Sequence, residues 1–516
     1  MHPSIHARTT PDKIAYQMAT SGESVTYAQL EDRSNRFAQL LRSYGIQAGD
    51  HIAIFLENHA RFFEIAWGAQ RAGVIFTAIN YRLSVDETNY IVSNCEARLV
   101  VSSHQLAATA AGLRAADDSD RQVVHWLMVD EAIDGWESYE RATSLMPSTR
   151  ISDETAANDM LYSSGTTGRP KGVYSPPESD AIDAPSQVAS LCQSQFGVTS
   201  DSIYLSPAPL YHAAPLRYNM AIMRLGGTSI VMERYDSEHY LQLVEQKKVT
   251  HSQLVPTMFV RMLKLEPDVR NRYDVSSLQC VIHAAAPCPV PIKQQMIDWW
   301  GPILWEYYAG TEGNGVTLVD STAWVTKAGT VGKAVIGVLK ICDEDGNEVP
   351  VGTEGTVYFA QGRPFTYHND VEKTASSRNS KGWTTLGDVG RVDADGYLFL
   401  TDRKAFMIIS GGVNIYPQES ENQLVTHPEV IDAAVFGVPD ADFGEQVKAV
   451  VQPRDMARAG PEFEAELIAW CREHIAHHKC PKSVDFSEAL PREANGKLYK
   501  RGLRDEYWKD HQNRLI

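Results

Sequence analysis

The segment Tyr162-Ser-Ser-Gly-Thr-Thr-Gly-Arg-Pro-Lys-Gly172 packs three glycines, four serine or threonine hydroxyls and one lysine into eleven residues. Glycine lets backbone N–H groups approach an anion, and hydroxyls add further donors. Lys171 can neutralise phosphate charge. Ser163, Ser164, Gly165, Thr166, Thr167, Gly168 and Lys171 are therefore candidates for a phosphate-holding loop. The loop is not of the Walker A type, which needs Gly-Lys-Ser/Thr; here Pro170 precedes Lys171 and Gly172 follows it. A plain surface loop has no need of so many donors in order. A second candidate is the trio His474, His477 and His478. Their spacing suits one face of a helix and could ligate a metal. No carboxylate or cysteine partner is obvious, so an exposed helix end is the simpler reading.

The phosphate loop resembles the signature of the adenylate-forming superfamily. That group includes acyl-CoA synthetases, 4-coumarate–CoA ligases, firefly luciferase and peptide-synthetase adenylation domains. Further motifs follow in the family's order over nearly the whole chain. Glu306-Tyr-Tyr-Ala-Gly-Thr-Glu312 resembles the second core motif. The resemblance implies Glu306, Tyr307 and Tyr308 at the nucleotide, with Tyr308 stacked on adenine. It implies Thr311 at the α-phosphate and Glu312 as the carboxylate on the Mg2+ side. The residue types suit these tasks, because a planar base needs an aromatic face and Mg2+ prefers oxygen ligands while keeping several waters.

His283-Ala-Ala-Ala-Pro287 resembles the adenine-flanking turn, which implies Ala286 and Pro287 beside the base. Simple packing at a strand end is the alternative there. Leu210-Tyr-His-Ala-Ala-Pro215 resembles the motif that sets an aromatic residue or histidine beside the substrate carboxylate, so His212 is the implied neighbour or gate. Amino-acid-activating domains usually carry an aspartate after that position; here it is Ala213, which speaks against an α-amino acid. Trp383-Thr-Thr-Leu-Gly-Asp388 resembles the ribose motif. Asp388 can accept from both ribose hydroxyls, Arg403 would join it, and Asp402 falls at the family's hinge.

Pro491-Arg-Glu-Ala-Asn-Gly-Lys497 resembles the C-terminal lysine motif. Lys497, on a turn set by Gly496, is the implied cation for charge developing on the α-phosphate and carboxylate. One departure stands out. Many members read Asp-Arg-x-Lys-Asp/Glu at the hinge, whereas this chain reads Asp402-Arg403-Lys404-Ala405-Phe406. The second lysine and the acid are absent, so the hinge lysine's role does not carry over. Ser410-Gly-Gly412 and Tyr416 to Glu421 follow the family pattern, and the run as a whole looks like a bacterial fatty-acyl-CoA synthetase branch.

The resemblance implies an ATP-dependent carboxylic acid–CoA ligase working through an acyl-adenylate, with ATP, Mg2+ and CoA as co-substrate. Phe259, Ala284, Ala285 and Gly310 fall in segments that line the family's acyl pocket. The small residues leave room, which favours a medium or long-chain, bulky or aromatic acid. A stand-alone adenylation enzyme loading a carrier protein and an aryl-CoA ligase of the 4-coumarate type are the alternatives.

These residues need a scaffold. Thr26 and Gln29 make a capping box, and Leu30, Phe37, Leu41 and Tyr44 recur at helical spacing. Strand-like apolar runs cover His51 to Leu56, Arg98 to Ser102, Ser229 to Met232 and Leu278 to Ala286. Strands separated by helices predict parallel sheets covered on both faces. From Thr330 short alternating runs such as Thr356 to Ala360 sit between turns at Asp343-Glu-Asp-Gly346 and Asp393-Ala-Asp-Gly396. A third section starts near Asp402, with strands at Asp432 to Val438 and Val447 to Gln452 and a helix from about Glu462 to His478. The fold class is α/β. The resemblance implies a large N-terminal domain (1–401) of stacked α/β subdomains with a small β-barrel-like part, and a small mobile α+β C-terminal domain (402–516).

The chain has 516 residues and a formal charge of −17, from 48 basic and 65 acidic side chains. That balance argues against wholesale binding of nucleic acid or anionic lipid, and an anionic substrate must be held by local groups. Hydrophobic residues at 43% match globular usage, which rules out a disordered or fibrous chain. Seven scattered cysteines with no Cys-x-x-Cys pair rule against a disulfide scaffold or zinc ribbon. The expectation is a cytoplasmic enzyme with no apolar signal core, no integral membrane segment and no nucleic-acid partner. A homodimer is left open.

Overall fold

Thr26 opens a 17-residue helix, Tyr27–Ser43, through the expected capping box: its hydroxyl accepts from Gln29 N–H while the Gln29 side chain accepts from Thr26 N–H. Leu30, Phe37 and Leu41 form the buried stripe of that helix, and Tyr44 caps its end. The computed structural model describes residues 1–116, 123–163, 169–403, 406–440, 442–492 and 498–509. The chain divides into two units. The first comprises Met1–Gln253, Asp274–Cys280 and Pro364–Ala375; the second comprises Leu254–Tyr273, Val281–Arg363 and Ser376–Ile516.

In the first unit a five-stranded parallel sheet runs in the order Ile75–Ala78, His51–Phe55, Ala97–Ser103, His125–Val129, Glu137–Ser138. All but the short Glu137–Ser138 read as apolar runs because both faces of the sheet pack into hydrophobic cores. Ile203–Ser206, Thr228–Val231 and Ile14–Met18 pair in parallel in a second sheet, closed on one side by the antiparallel Ser24–Thr26. A small antiparallel sheet, Thr366–Tyr367 with Lys171–Tyr174 with Met160–Ser163, completes the unit.

In the second unit Val281, Ile282 and His283 of the strand Cys280–His283 run parallel to Leu304–Tyr308, and Val316–Asp320 and Lys333–Ile336 continue antiparallel. A four-stranded antiparallel sheet follows: Val338–Cys342, Gly355–Ala360, Thr384–Val392, Leu398–Arg403. Asp343 to Gly346 and Asp393 to Gly396 make the tight turns expected there. The last sheet is built on the long hairpin Val430–Asp440 with Gly444–Pro453. Its core is Val435, Val447, Ala449 and Val451 against Phe463 and Leu467 of the helix Pro461–His474.

Two expectations need correction. The strand expected over Leu278 to Ala286 covers only Cys280–His283, because the chain turns at Ala285, whose φ of 74° is left-handed. The helix expected to reach His478 stops at His474: Ile475 is extended, and His477–Lys479 form a separate 3-10 turn. His474, His477 and His478 therefore share no helical face. His474 Nδ1 is 2.7 Å from the Trp470 carbonyl oxygen, and no group of three metal-ligating side chains occurs among the described residues. Nor is any described helix long and apolar enough to cross a membrane.

Candidate functional site

In the first unit the hairpin of Met160–Ser163 and Lys171–Tyr174 sets the two ends of the candidate phosphate loop opposite each other, with Ser163 paired to Lys171 and Tyr162 to Gly172. Ser164, Gly165, Thr166, Thr167 and Gly168 lie outside the described residues. Gly172 makes room for Tyr162, whose ring lies across it: a Cβ would stand a tight 3.0 Å from its Cζ. The Tyr162 hydroxyl is anchored on Asn94 Oδ1 at 2.5 Å. Arg169 sits with its guanidinium carbon 5.1 Å from the Tyr90 ring centre. Lys171 is in an ion pair with Asp370. That ammonium, and the backbone N–H of Lys373, hold the Asp370 carboxyl below its ordinary pKa.

His212 is the residue before the helix Ala213–Leu225. Its ring centre is 4.2 Å from that of Tyr211. The approach to it is fixed by buried Asn58, whose amide donates to the carbonyls of Ala208 and Met232 and whose oxygen accepts from Leu210 N–H.

In the second unit Tyr308 ends the strand Leu304–Tyr308, and Asp388 lies on Thr384–Val392. The Tyr308 hydroxyl donates to Asp388 Oδ2 at 2.6 Å. Phe359 lies nearly parallel to the Tyr308 ring, 27° off at 6.3 Å. Asp388 pairs in register with Arg403, whose side chain is outside the described residues. Asp402 Oδ2 accepts from Gln418 N–H at 3.1 Å. Gly310 allows a tight closure after the strand: a Cβ there would stand 2.6 Å from Glu312 Oε2 and 2.7 Å from Leu386.

Glu306 lies on the same strand as Tyr308. Its Oε2 accepts from buried Lys293 at 2.6 Å, and His283 Nε2 stands 3.6 Å away. Desolvation pushes the Glu306 carboxyl above its ordinary pKa, with Lys293 pulling the other way, and burial holds His283 well below its own. Lys293 Nζ also lies 4.7 Å from the Trp324 ring centre. The acyl-pocket candidate Phe259 is buried, edge-on to His283 at 5.3 Å and to Trp300 at 6.2 Å. Ala284 is buried at the end of its strand, whereas Ala285 and Pro287 are exposed and Ala286 half-buried in the turn. Lys497 lies outside the described residues.

The sequence model of the AMP-binding enzyme family matches residues 4–364, and that of the AMP-binding enzyme C-terminal domain matches residues 419–497. The chain belongs to the AMP-binding enzyme family. It is an AMP-forming acid–thiol ligase of the adenylate-forming superfamily. The chain is 32% identical over 511 residues to a feruloyl-CoA synthase of an Amycolatopsis species, covering 98% of each chain. It is 30% identical over 505 residues to the long-chain-fatty-acid–CoA ligase FadD13 of Mycobacterium tuberculosis, covering 97% of each. Among solved structures, ATP-bound MatB from Rhodopseudomonas palustris superposes with a TM-score of 0.81 at 28% identity, covering 99% of both chains. The mixed α/β class expected from the sequence is what the structure shows, and the large N-terminal and small C-terminal regions each match their own AMP-binding family model.

Within this AMP-binding enzyme, sequence reasoning missed Asp370, Asn58 and Lys293. No local pattern marks them. Each acts on a motif residue or its flanking chain across a long stretch of sequence or through a buried pair. The one available hint was Lys293 itself, a lysine on the apolar helix Val290–Trp300, where a charge needs a buried partner.

Proposed function

We propose that this enzyme is a carboxylic acid–CoA ligase that forms an acyl-adenylate from ATP and passes the acyl group to the CoA thiol. The single observation that carries the reading is the Tyr308–Asp388 pair: an aromatic face and an acceptor for ribose hydroxyls, held together by one hydrogen bond. Near-full-length likeness to two CoA ligases supports it. Those two act on an aromatic and a long-chain acid by name, which favours a medium or long-chain, bulky or aromatic substrate here.

The substrate carboxylate attacks the α-phosphorus and pyrophosphate leaves. Lys171 and the loop it closes hold phosphate charge, Thr311 the α-phosphate, and His212 flanks the carboxylate. Lys497 stabilises the charge that grows as the new P–O bond forms. Asp402 is the pivot between a domain of 1–401 and one of 402–516. Ser163, Ala286, Pro287, Glu306, Tyr307 and Arg403 stand at the nucleotide, and Phe259, Ala284, Ala285 and Gly310 at the acyl group. The donor set fits Mg2+ carried in by the nucleotide: that ion takes only one or two protein carboxylates beside phosphates and waters, and Glu312 supplies one. Mg2+ would neutralise phosphate charge there.

The test is pyrophosphate release with ATP and Mg2+ over acetate, octanoate, palmitate, cinnamates, benzoates and a bile acid, with and without CoA. Release on one acid class, raised by CoA, is expected. Release indifferent to CoA but raised by an acyl carrier protein would replace CoA as acceptor. No release on any acid would reject the reading.

A further inference from the structure

Lys171 does not stand alone at the mouth of the phosphate loop. The strand Thr366–Tyr367 adds to the edge of Lys171–Tyr174, with Tyr367 opposite Val173, and His368 N–H donates to the Gly172 carbonyl at 2.7 Å. That pairing carries the chain past Lys171 to Asp370. The aspartate is itself tightly fixed. Its Oδ1 accepts from Lys373 N–H at 2.8 Å, its carbonyl accepts from the Thr374 hydroxyl at 2.8 Å, and that hydroxyl accepts from Tyr367 N–H at 2.9 Å. Asn369 at the tip donates to the Asn94 carbonyl and to Glu96 Oε1, each at 3.3 Å. The remaining oxygen, Oδ2, accepts from Lys171 Nζ.

The carboxylate is thus a pre-set oxyanion on the one lysine of the phosphate loop. Both partners are partly open to water, with side chains 23% and 29% exposed. Such a pair is weak and screened, whereas a polyphosphate brings several charges to the same ammonium. A lysine ammonium has three donors but one charge, so carboxylate and phosphate compete for it.

We propose that Asp370 is a built-in anionic stand-in for nucleotide phosphate, a positioning residue that parks Lys171 and gives it up when the polyphosphate binds. This rests on the assignment of Lys171 to phosphate made above. Asp370 therefore sets the strength of polyphosphate binding, and part of the affinity for ATP is spent on displacing it.

The test is calorimetric binding of inorganic pyrophosphate and of ATP, each with Mg2+, to the full chain. Asp370→Asn keeps a side-chain oxygen for Lys373 N–H and removes the charge. Asp370→Ser, which can also cap, is the second variant should the first fold poorly. Tighter binding of both probes is expected, by roughly two- to fivefold, as suits a partly exposed pair. The gain should shrink at high salt. Lys171→Ala should weaken binding, and in that background Asp370→Asn should change nothing. Weaker or unchanged binding in Asp370→Asn, or an equal gain without Lys171, overturns the inference while leaving Lys171 at the phosphate. Unchanged binding in Lys171→Ala overturns both.

Discussion

The hydroxyl of Tyr308 and the carboxylate of Asp388 meet at 2.6 Å, joining the end of one strand to the middle of a strand in another sheet. Tyr308 would stack on the base through its ring, and Asp388 would hold the ribose through its oxygens. The hydroxyl adds a third task, orienting the carboxylate. Tyr308→Phe keeps the ring face and loses only that donor, so the KM for ATP should rise by roughly fivefold, the worth of one hydrogen bond. Asp388→Asn loses the charged acceptor itself and should raise it by roughly tenfold or more. Pyrophosphate-release kinetics at varied ATP would check both. A Tyr308→Phe enzyme with the parent KM would show that the bond orients nothing.

Lys293 and Glu306 make a different kind of pair, buried on both sides and bonded at 2.6 Å. Removing one member strands the other charge, at a cost of about 3 to 5 kcal/mol in buried pairs. Lys293→Met should therefore destabilise by about that amount in urea unfolding. The double variant Lys293→Met with Glu306→Gln should recover much of it, because no lone charge is left. A single variant as stable as the parent would mean that Glu306 is already neutral in the fold, in line with the upward push on its carboxyl.

The motif residues were legible because each motif carries its own chemistry in a few adjacent positions, and the helix Tyr27–Ser43 was legible because its cap and apolar stripe are local. Parallel strands buried over most of their length, such as His51–Phe55, were legible as apolar runs between turn signals. Two element ends were not. The strand at Cys280–His283 ends because Ala285 takes a left-handed conformation that no glycine announces. The run of histidines hid the stop at Ile475 because His, Ala and Lys are all tolerated in a helix. Asp370 stayed hidden for a topological reason. It is 199 residues from Lys171, and only the strand Thr366–Tyr367 brings it there.

Lys497 can be tested by separating the half-reactions. The ends of its segment are fastened: Arg492 pairs with Leu498 across an antiparallel bridge, Tyr499 N–H donates to the Pro491 carbonyl at 2.8 Å, and Arg492 bonds Asp432 at 2.6 Å. Lys497→Ala should cut pyrophosphate release by roughly 100-fold or more, as loss of one oxyanion donor does. Thioester formation from supplied acyl-AMP and CoA should be largely spared. Equal loss in both half-reactions would assign Lys497 to the fold or to both steps.

Glu64 gives the enzyme a pH-dependent stability that can be read without any substrate. It is buried on the helix Phe62–Arg71 and accepts from the Tyr139 hydroxyl at 2.8 Å, with Arg33 at 3.4 Å and Arg61 at 3.8 Å. Desolvation outweighs both arginines and raises its carboxyl from 4.5 to about 7. In that interval the folded chain holds a proton that the unfolded chain has released. Unfolding then loses a proton, and stability falls as pH rises. The contribution is full below the unfolded value and gone once pH passes the folded one. Glu64→Gln mimics the protonated form at every pH. The Tm of the parent should therefore decline relative to that of the variant as pH rises from 4.5 to about 7, the span of the shift. Parallel Tm curves for the two proteins would mean that Arg33 and Arg61 keep Glu64 ionised throughout.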